Sequence, residues 1–597
     1  MFAERLDLLP QDFADFVLVP PADDRQAWEG LPADVRRRLL AAGEAALGGE
    51  WPLLPVTLWL DFTRNGNRTR FEECYFARRR RLNALVMAEC VEAKGRFLDS
   101  IIEGIFLIAE ESGWQLPAHN TYVRDTPCLP LPDATRPLID LFAAETGALL
   151  AVLKLVLGTA LDAVSPQIGE RIDREVRRRI LEPYLTTHFW WMGRGDEPMN
   201  NWTAWCTQNV LLAAFALGCE TPNLRAIVRK AAGSLDAFLK DYGEDGACEE
   251  GALYYRHAGL CLFNALALLS AAAPQAFALL WQEPKLRGMA EYIAHVHVAG
   301  PRYINFADCS AVTERCGARE FLFGKAVGST LLMDFAAQDW AEETAPDLPE
   351  EINLFYRLQA AFTAEILRAH KGPGTALPDI FYPSIGLMIA RDESFVLAAK
   401  AGDNGDSHNH NDVGSVTLYK GDEPVLIDIG VESYTAKTFS SRRYEIWTMQ
   451  SAWHNLPTVG GAQQQAGSAF AARDIDVTLT ATEASIAMDI AGAYPPEARL
   501  RHYRRTARLL KGQGAQIEDE FDGDLPVILS LIFAQKPVFA GLSIMVADLA
   551  RIDVSGGGVP ELEEVEITDP RLRKAWPERI YRVLIPAAGS RLTLRIA

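Results

Sequence analysis

From about residue 30 to residue 370, apolar positions recur at helical spacing, and short Gly, Pro or polar breaks separate the segments. The spacing predicts helices over Leu82–Ala109, Ala143–Leu161, Thr203–Leu217, Leu224–Leu239 and Ala252–Ala273. Many such segments in one chain point to antiparallel helical hairpins, arranged as an α/α toroid or a helical solenoid. No tight repeat favours the solenoid. The pattern breaks at residues 371–380, Lys-Gly-Pro-Gly-Thr-Ala-Leu-Pro-Asp-Ile, and short β-rich runs alternate with turn residues from there on. Ser415–Tyr419, Val425–Ile429, Ile475–Leu479, Val527–Phe533 and Arg591–Ile596 are the clearest of these runs, and together they predict a large antiparallel β-sandwich. The expectation is an α+β multidomain chain, with a helical domain over residues 1–375 and a sandwich domain over residues 376–597.

A length of 597 residues agrees with two or three domains, and 49% hydrophobic with 23% charged residues is the composition of a folded chain without long disordered tracts. The formal charge of -20 argues against a nucleic-acid binder. An acidic polymer would need a locally basic groove, for which the runs Arg78 to Arg81 and Arg177 to Arg179 are candidates; a solvated helix face is the other reading. Nine cysteines, odd in number and without CxxC pairs, lie between Cys74 and Cys316, as expected of reduced packing thiols. The N-terminus lacks a signal-peptide pattern and no apolar run is read as long enough to span a membrane. The expected location is therefore cytoplasmic, or periplasmic or secreted if a leader has been removed.

The segment richest in chemistry is Gly405-Asp406-Ser407-His408-Asn409-His410-Asn411-Asp412, where two of the ten histidines fall. Extended backbone would turn His408, His410 and Asp412 to one side. Asp428 interrupts the apolar run Val425-Leu426-Ile427-Asp428-Ile429, and a buried carboxylate is costly unless a cation or several donors satisfy it. His454 is the next histidine along, so His410, Asp428 and His454 make a His-Asp-His set suited to zinc. The alternative is an Asp428 held by backbone and arginine donors alone.

On the helical side, Asn200-Asn201-Trp202 opens an apolar helix, and either asparagine is a natural N-cap. Asp245 to His257 leads into another helix; Tyr254 and Tyr255, about 100° apart, cannot share a face, so one of them belongs to the core. Trp114, His119 and Asn120 form a polar-aromatic cluster, read either as a sugar-stacking edge or as a packed turn.

The Ser407-to-Asp412 run, the Leu426-Ile427-Asp428 strand, His454-Asn455, the Asn200-Asn201 helix start and the Glu250-to-Tyr254 helix start together resemble the heparinase II/III-like polysaccharide lyases, over roughly residues 50 to 460. The resemblance implies an incomplete α/α toroid followed by an antiparallel β-sandwich, an active site in the cleft between them, and β-elimination on uronic-acid-containing polysaccharides, glycosaminoglycans or alginate. It also implies that Asn201 binds the uronate carboxylate, that Tyr254 and His408 are catalytic, that Tyr444 is an auxiliary tyrosine, and that His410, Asp428 and His454 hold a structural Zn2+. Asn200, Trp202, Trp114, His119, Asn120, His257 and Arg443 are the expected substrate-binding residues. No organic cofactor and no nucleic-acid or membrane partner is expected. Several family members carry a histidine where this chain has Trp202, which leaves any base needed there to His408, Tyr254 or His257. Rival readings are a zinc hydrolase built on an open metal position, a toroid glycoside hydrolase using Asp245, Glu249 or Glu250, and a non-catalytic carbohydrate-binding protein.

Overall fold

The computed structural model describes residues 1–124, 126–374, 376–435 and 437–597. They form two compact units, the first comprising Met1–Asp241, His257–Ala290 and Cys316–Gly374, the second Tyr242–Arg256, Glu291–Arg315 and Thr375–Ala597. The chain thus leaves the helical half twice, and those two excursions carry Glu250, Tyr254 and Asp308 into the second unit.

The first unit is an incomplete α/α toroid. Its central helix, Leu141–Val164, packs against Pro166–Val176 and Asn201–Ala216. Residues 143–153 of this helix are buried without interruption, so the core surrounds it. Contrary to the sequence reading, it is long and apolar enough to cross a membrane. Burial inside the unit is the reason for its composition. The Asp140 side chain caps it by accepting from Ala143 N.

The expected helix Leu82–Ala109 is two helices, Thr69–Glu92 and Leu98–Ala109. Ala93 and Gly95 take left-handed backbone (φ 53° and 78°). The Glu89 carboxylate accepts from Gly95 N at 2.7 Å and Phe97 N at 3.0 Å, which satisfies the donors of the new turn. The arginine runs are split between core and surface: Arg80 and Arg178 keep 30% and 41% of their side-chain surface exposed. Arg78 and Arg79 are buried on Glu111, Arg79 with a second bond to Thr146 Oγ1, and Arg179 is buried on Glu175 and over the Trp114 ring. All nine cysteines are free thiols, and seven of them are buried.

The second unit contains an eight-stranded antiparallel sheet in the order Arg473–Leu479, Glu483–Asp489, Leu500–Leu510, Gly514–Gly523, Arg591–Ile596, Ala550–Ser555, Ser543–Val546, Val538–Ala540. A five-stranded sheet packs on it. Leu397, Ala399 and Leu418 of the smaller sheet meet Ile486, Ala507 and Ile517 of the larger in one apolar core, the sandwich that alternating inward side chains call for. The five-stranded sheet ends in Glu423–Leu426, two residues before Asp428, where the sequence run predicted a strand over Val425–Ile429. Ile427 N then donates to Ile532 O of a four-stranded sheet, and the chain at Asp428 leaves regular pairing. Asn455 stabilises this departure, donating to Val416 O and Ile427 O and accepting from Ile532 N. Buried Arg505, paired bidentately with Asp519, donates to Gly414 O and Asn455 O. The loops that carry His410 and His454 are therefore anchored to the same guanidinium.

Candidate active site

His410, Asp428 and His454 come together in the second unit with one ligand atom from each within 4.8 Å of the others, all three side chains buried. Two bonds fix Asp428, one within the set and one from outside it: its Oδ2 accepts from His454 Nδ1 at 2.8 Å, and its Oδ1 accepts from Gly430 N at 2.9 Å. His410 Nδ1 and His454 Nε2 are buried and find no hydrogen-bond partner among the described residues. Buried polar atoms are rarely left so. Burial pulls the His410 pKa down, against the pull of Asp308, which keeps the imidazole in the neutral form that binds a cation. The donor set fits a metal ion with two nitrogens and a carboxylate oxygen.

Next to this set lies Asp308, a residue that no sequence motif marked. Its Oδ1 accepts from His410 Nε2 at 3.1 Å and from Arg443 Nη2 at 2.7 Å, and its Oδ2 accepts from His408 Nδ1 at 2.8 Å and from the Tyr434 hydroxyl at 3.2 Å. Its backbone takes part as well: Asp308 N donates to His408 O, and Asp308 O accepts from Arg571 Nη2. Burial raises the Asp308 pKa, but the bonds from His408 and His410 outweigh it and hold the carboxyl well below the usual range. Arg443, expected to bind substrate, is engaged by Asp308 and by Asn409 O.

His408 takes left-handed backbone, φ 56°, rather than the extended form expected of this segment. In consequence it does not share one strand face with His410 and Asp412; the loop turns between them. With Nδ1 on Asp308, its Nε2 lies 3.6 Å from Glu250 Oε1. Burial lowers the His408 pKa, while the Asp308 bond and the Glu250 charge raise it, and the net shift is upward. Burial also raises the Glu250 pKa.

Tyr254 stacks its ring beside His408, centroids 4.8 Å apart at 31°. Its hydroxyl contacts that of Tyr434, which in turn donates to Asp308. Burial drives the Tyr254 phenol well above its ordinary pKa, so it is a neutral proton donor. Gly251 (φ 83°) makes the approach possible, since a Cβ there would lie 2.7 Å from Cys309 Cβ. Tyr255 turns the other way and is buried near Tyr292, which answers the question that the adjacent tyrosines posed. Tyr444, the expected auxiliary tyrosine, accepts from Asn409 Nδ2 at 3.3 Å; the tyrosine in contact with Tyr254 is Tyr434.

The remaining expected residues belong to the first unit. Asn200 is the N-cap of helix Asn201–Ala216, its side chain accepting from Trp202 N, and Asn201 is buried at the first position. Trp202 meets His119 edge-on at 4.7 Å and Trp190 at 5.0 Å, while His119 is held by Asp140 at 2.7 Å. His257 stacks on Trp205 at 4.0 Å. Trp114 and Asn120 are core residues rather than a sugar-stacking edge. Trp114 is 2% exposed with its indole N–H given to Ile108 O, and Asn120 is fully buried, bonded to Gln115, Leu129 O and Leu131 O.

Residues 375–526 match the family described as heparinase II/III-like, C-terminal. No curated protein matches the chain in sequence. Among solved structures, a mutant of the heparan sulfate lyase HepC from Pedobacter heparinus aligns at 14% identity over 100% of this chain and 86% of its own, with a TM-score of 0.61. A heparinase III aligns at 14% identity over 87% and 76%, TM-score 0.58. A chondroitin AC lyase of Streptomyces coelicolor A3 in complex with chondroitin sulphate aligns at 12% identity over 96% and 82%, TM-score 0.53. At these identities the similarity is one of fold.

Proposed function

We propose, starting from the heparinase II/III-like C-terminal domain that residues 375–526 form, that this protein is a polysaccharide lyase cleaving uronic-acid-containing glycosaminoglycans by β-elimination. The observation that carries this reading is the Tyr254–His408 pair: a neutral phenol ring beside an imidazole whose Nδ1 is held by buried Asp308 and whose Nε2 faces Glu250 Oε1 at 3.6 Å. Elimination needs a base at C5 of the uronate and an acid at the oxygen on C4. His408 Nε2 takes the C5 proton, the C5–H electrons form the C4=C5 double bond, the C4–O bond breaks, and the Tyr254 hydroxyl protonates the departing oxygen. Asp308, accepting at Nδ1, orients the imidazole and raises its basicity. Tyr434, between Tyr254 and Asp308, provides the path that restores the Tyr254 proton.

A glycosaminoglycan is an acidic polysaccharide, the class on which the heparan sulfate and chondroitin lyases named above act by their own names. Alginate is a second substrate class to test. Asn201 is assigned to the uronate carboxylate by sequence resemblance. Zinc is the metal we assign to His410, Asp428 and His454, where it would rigidify the loop two residues from His408 and supply no step of the reaction. Full burial of all three residues favours this structural role over a hydrolytic one, which needs a position open to water and substrate. The test is ultraviolet absorbance of the unsaturated uronate on incubation with heparan sulfate, chondroitin sulfate, hyaluronan and alginate. Reducing ends appearing without that absorbance would indicate a hydrolase instead.

A further inference from the structure

This inference rests on reading the Tyr254–His408 pair as a lyase site and concerns what lies beside it. Phe439 is 59% exposed, yet its ring centroid is 6.0 Å from that of His408 (88°) and 5.0 Å from that of Tyr434 (70°). A single exposed apolar ring is ordinary on a protein surface. One standing within about the width of a pyranose ring of a proposed catalytic imidazole is not explained by chance exposure alone, because the same turn could have presented a polar side chain at no cost in burial.

The turn that carries Phe439 is built. Thr435 N donates to Thr438 Oγ1 at 3.0 Å, Arg443 Nη1 donates to Thr438 O at 3.1 Å, and Ser440 Oγ donates to Lys437 O at 2.9 Å, so the backbone is tied on both sides of the ring. The two cations nearest in sequence, Lys437 at 3.1 Å and Arg442 at 2.8 Å, share the single Glu445 carboxylate, so charge attraction by this turn is reduced to one net positive charge and the apolar ring is its distinct feature. Both aromatic contacts of Phe439 are T-shaped rather than parallel, and more than half of the residue stays open to solvent.

We propose that Phe439 is a sugar platform: the C–H face of the pyranose adjoining the cleaved bond stacks on it and is thereby registered against His408 and Tyr254. Dispersion and removal of apolar surface from water supply the affinity. The platform reads ring shape rather than charge, which complements electrostatic recognition of carboxylate or sulfate elsewhere on the substrate.

The experiment measures kcat and KM for wild type, Phe439→Ala and Phe439→Trp on the polymer that wild type degrades, together with Tm and the salt dependence of KM. Expected are an increase in KM of about tenfold for Phe439→Ala with kcat changed far less, equal Tm, recovery in Phe439→Trp, and the same fold-loss at low and high salt. A KM for Phe439→Ala within twofold of wild type, or a tryptophan variant as impaired as the alanine one, overturns the platform while the lyase reading stands. If wild type produces no unsaturated uronate, that reading fails first. Calorimetric titration of heparan sulfate and chondroitin sulfate hexasaccharides into wild type and Phe439→Ala then decides the platform separately: binding lost only in the variant supports it, and equal binding or none overturns it.

Discussion

His408 Nδ1 stands 2.8 Å from Asp308 Oδ2, and the other oxygen of the same carboxylate holds His410 at 3.1 Å. One side chain thus orients the imidazole proposed as base and an imidazole of the candidate metal set. Asp308→Asn removes the charge while nearly preserving volume. It leaves Arg443 without its buried counter-ion, at a cost of about 3–5 kcal/mol. Turnover is expected to fall by about 10²-fold or more. Product absorbance and a denaturant melt check both, and wild-type turnover in this variant would remove Asp308 from the mechanism.

Tyr434 and Tyr444 separate by their contacts. Tyr434 touches Tyr254 and Asp308, whereas Tyr444 touches Asn409. Tyr254→Phe is expected to lose about 10²–10⁴-fold in kcat with Tm unchanged, Tyr434→Phe about tenfold or more, and Tyr444→Phe only a few-fold. A Tyr444 variant more impaired than the Tyr434 one would reverse this ranking.

Metal content and stability should move together at the buried triad. His410→Ala is expected to lose bound zinc by elemental analysis and to melt several degrees lower. Chelation of wild type should lower Tm toward that of the variant. Equal metal content and equal Tm would dismiss zinc from His410, Asp428 and His454.

Far from these residues in sequence, Glu145 accepts from the Trp205 indole at 2.9 Å inside the helical unit, and burial, reinforced by Glu351, pushes its pKa up to about 8. In the unfolded chain the carboxyl ionises near its ordinary value of about 4.3. Between these two pH values the unfolded state releases a proton that the folded state keeps, so wild-type stability from this group is full at low pH and declines as pH rises toward 8. Glu145→Gln lacks the titration. Its stability relative to wild type should therefore increase between pH 5 and 8, by up to about 1.4 kcal/mol per unit, and level off above. A difference that is flat across this range would show that Glu145 titrates normally.

Helices and strands, the change from one to the other near residue 375, and the His410–Asp428–His454 set were readable because each rests on local information. Period 3.6 or period 2 governs which side chains of a segment are buried, and a carboxylate inside an apolar run signals a buried partner by itself. Motif order singled out Tyr254 and His408, and the fold brings their rings side by side. Asp308 was not, because it lies 100 residues from His408 in a stretch without periodicity, and its meaning comes entirely from the four side chains that converge on it. The same holds for Tyr434 against Tyr444, for Trp114 and Asn120 as core, and for the arginine runs. A residue type states which bonds it can make, but desolvation and partner geometry select which bonds it does make, and both are properties of the folded chain.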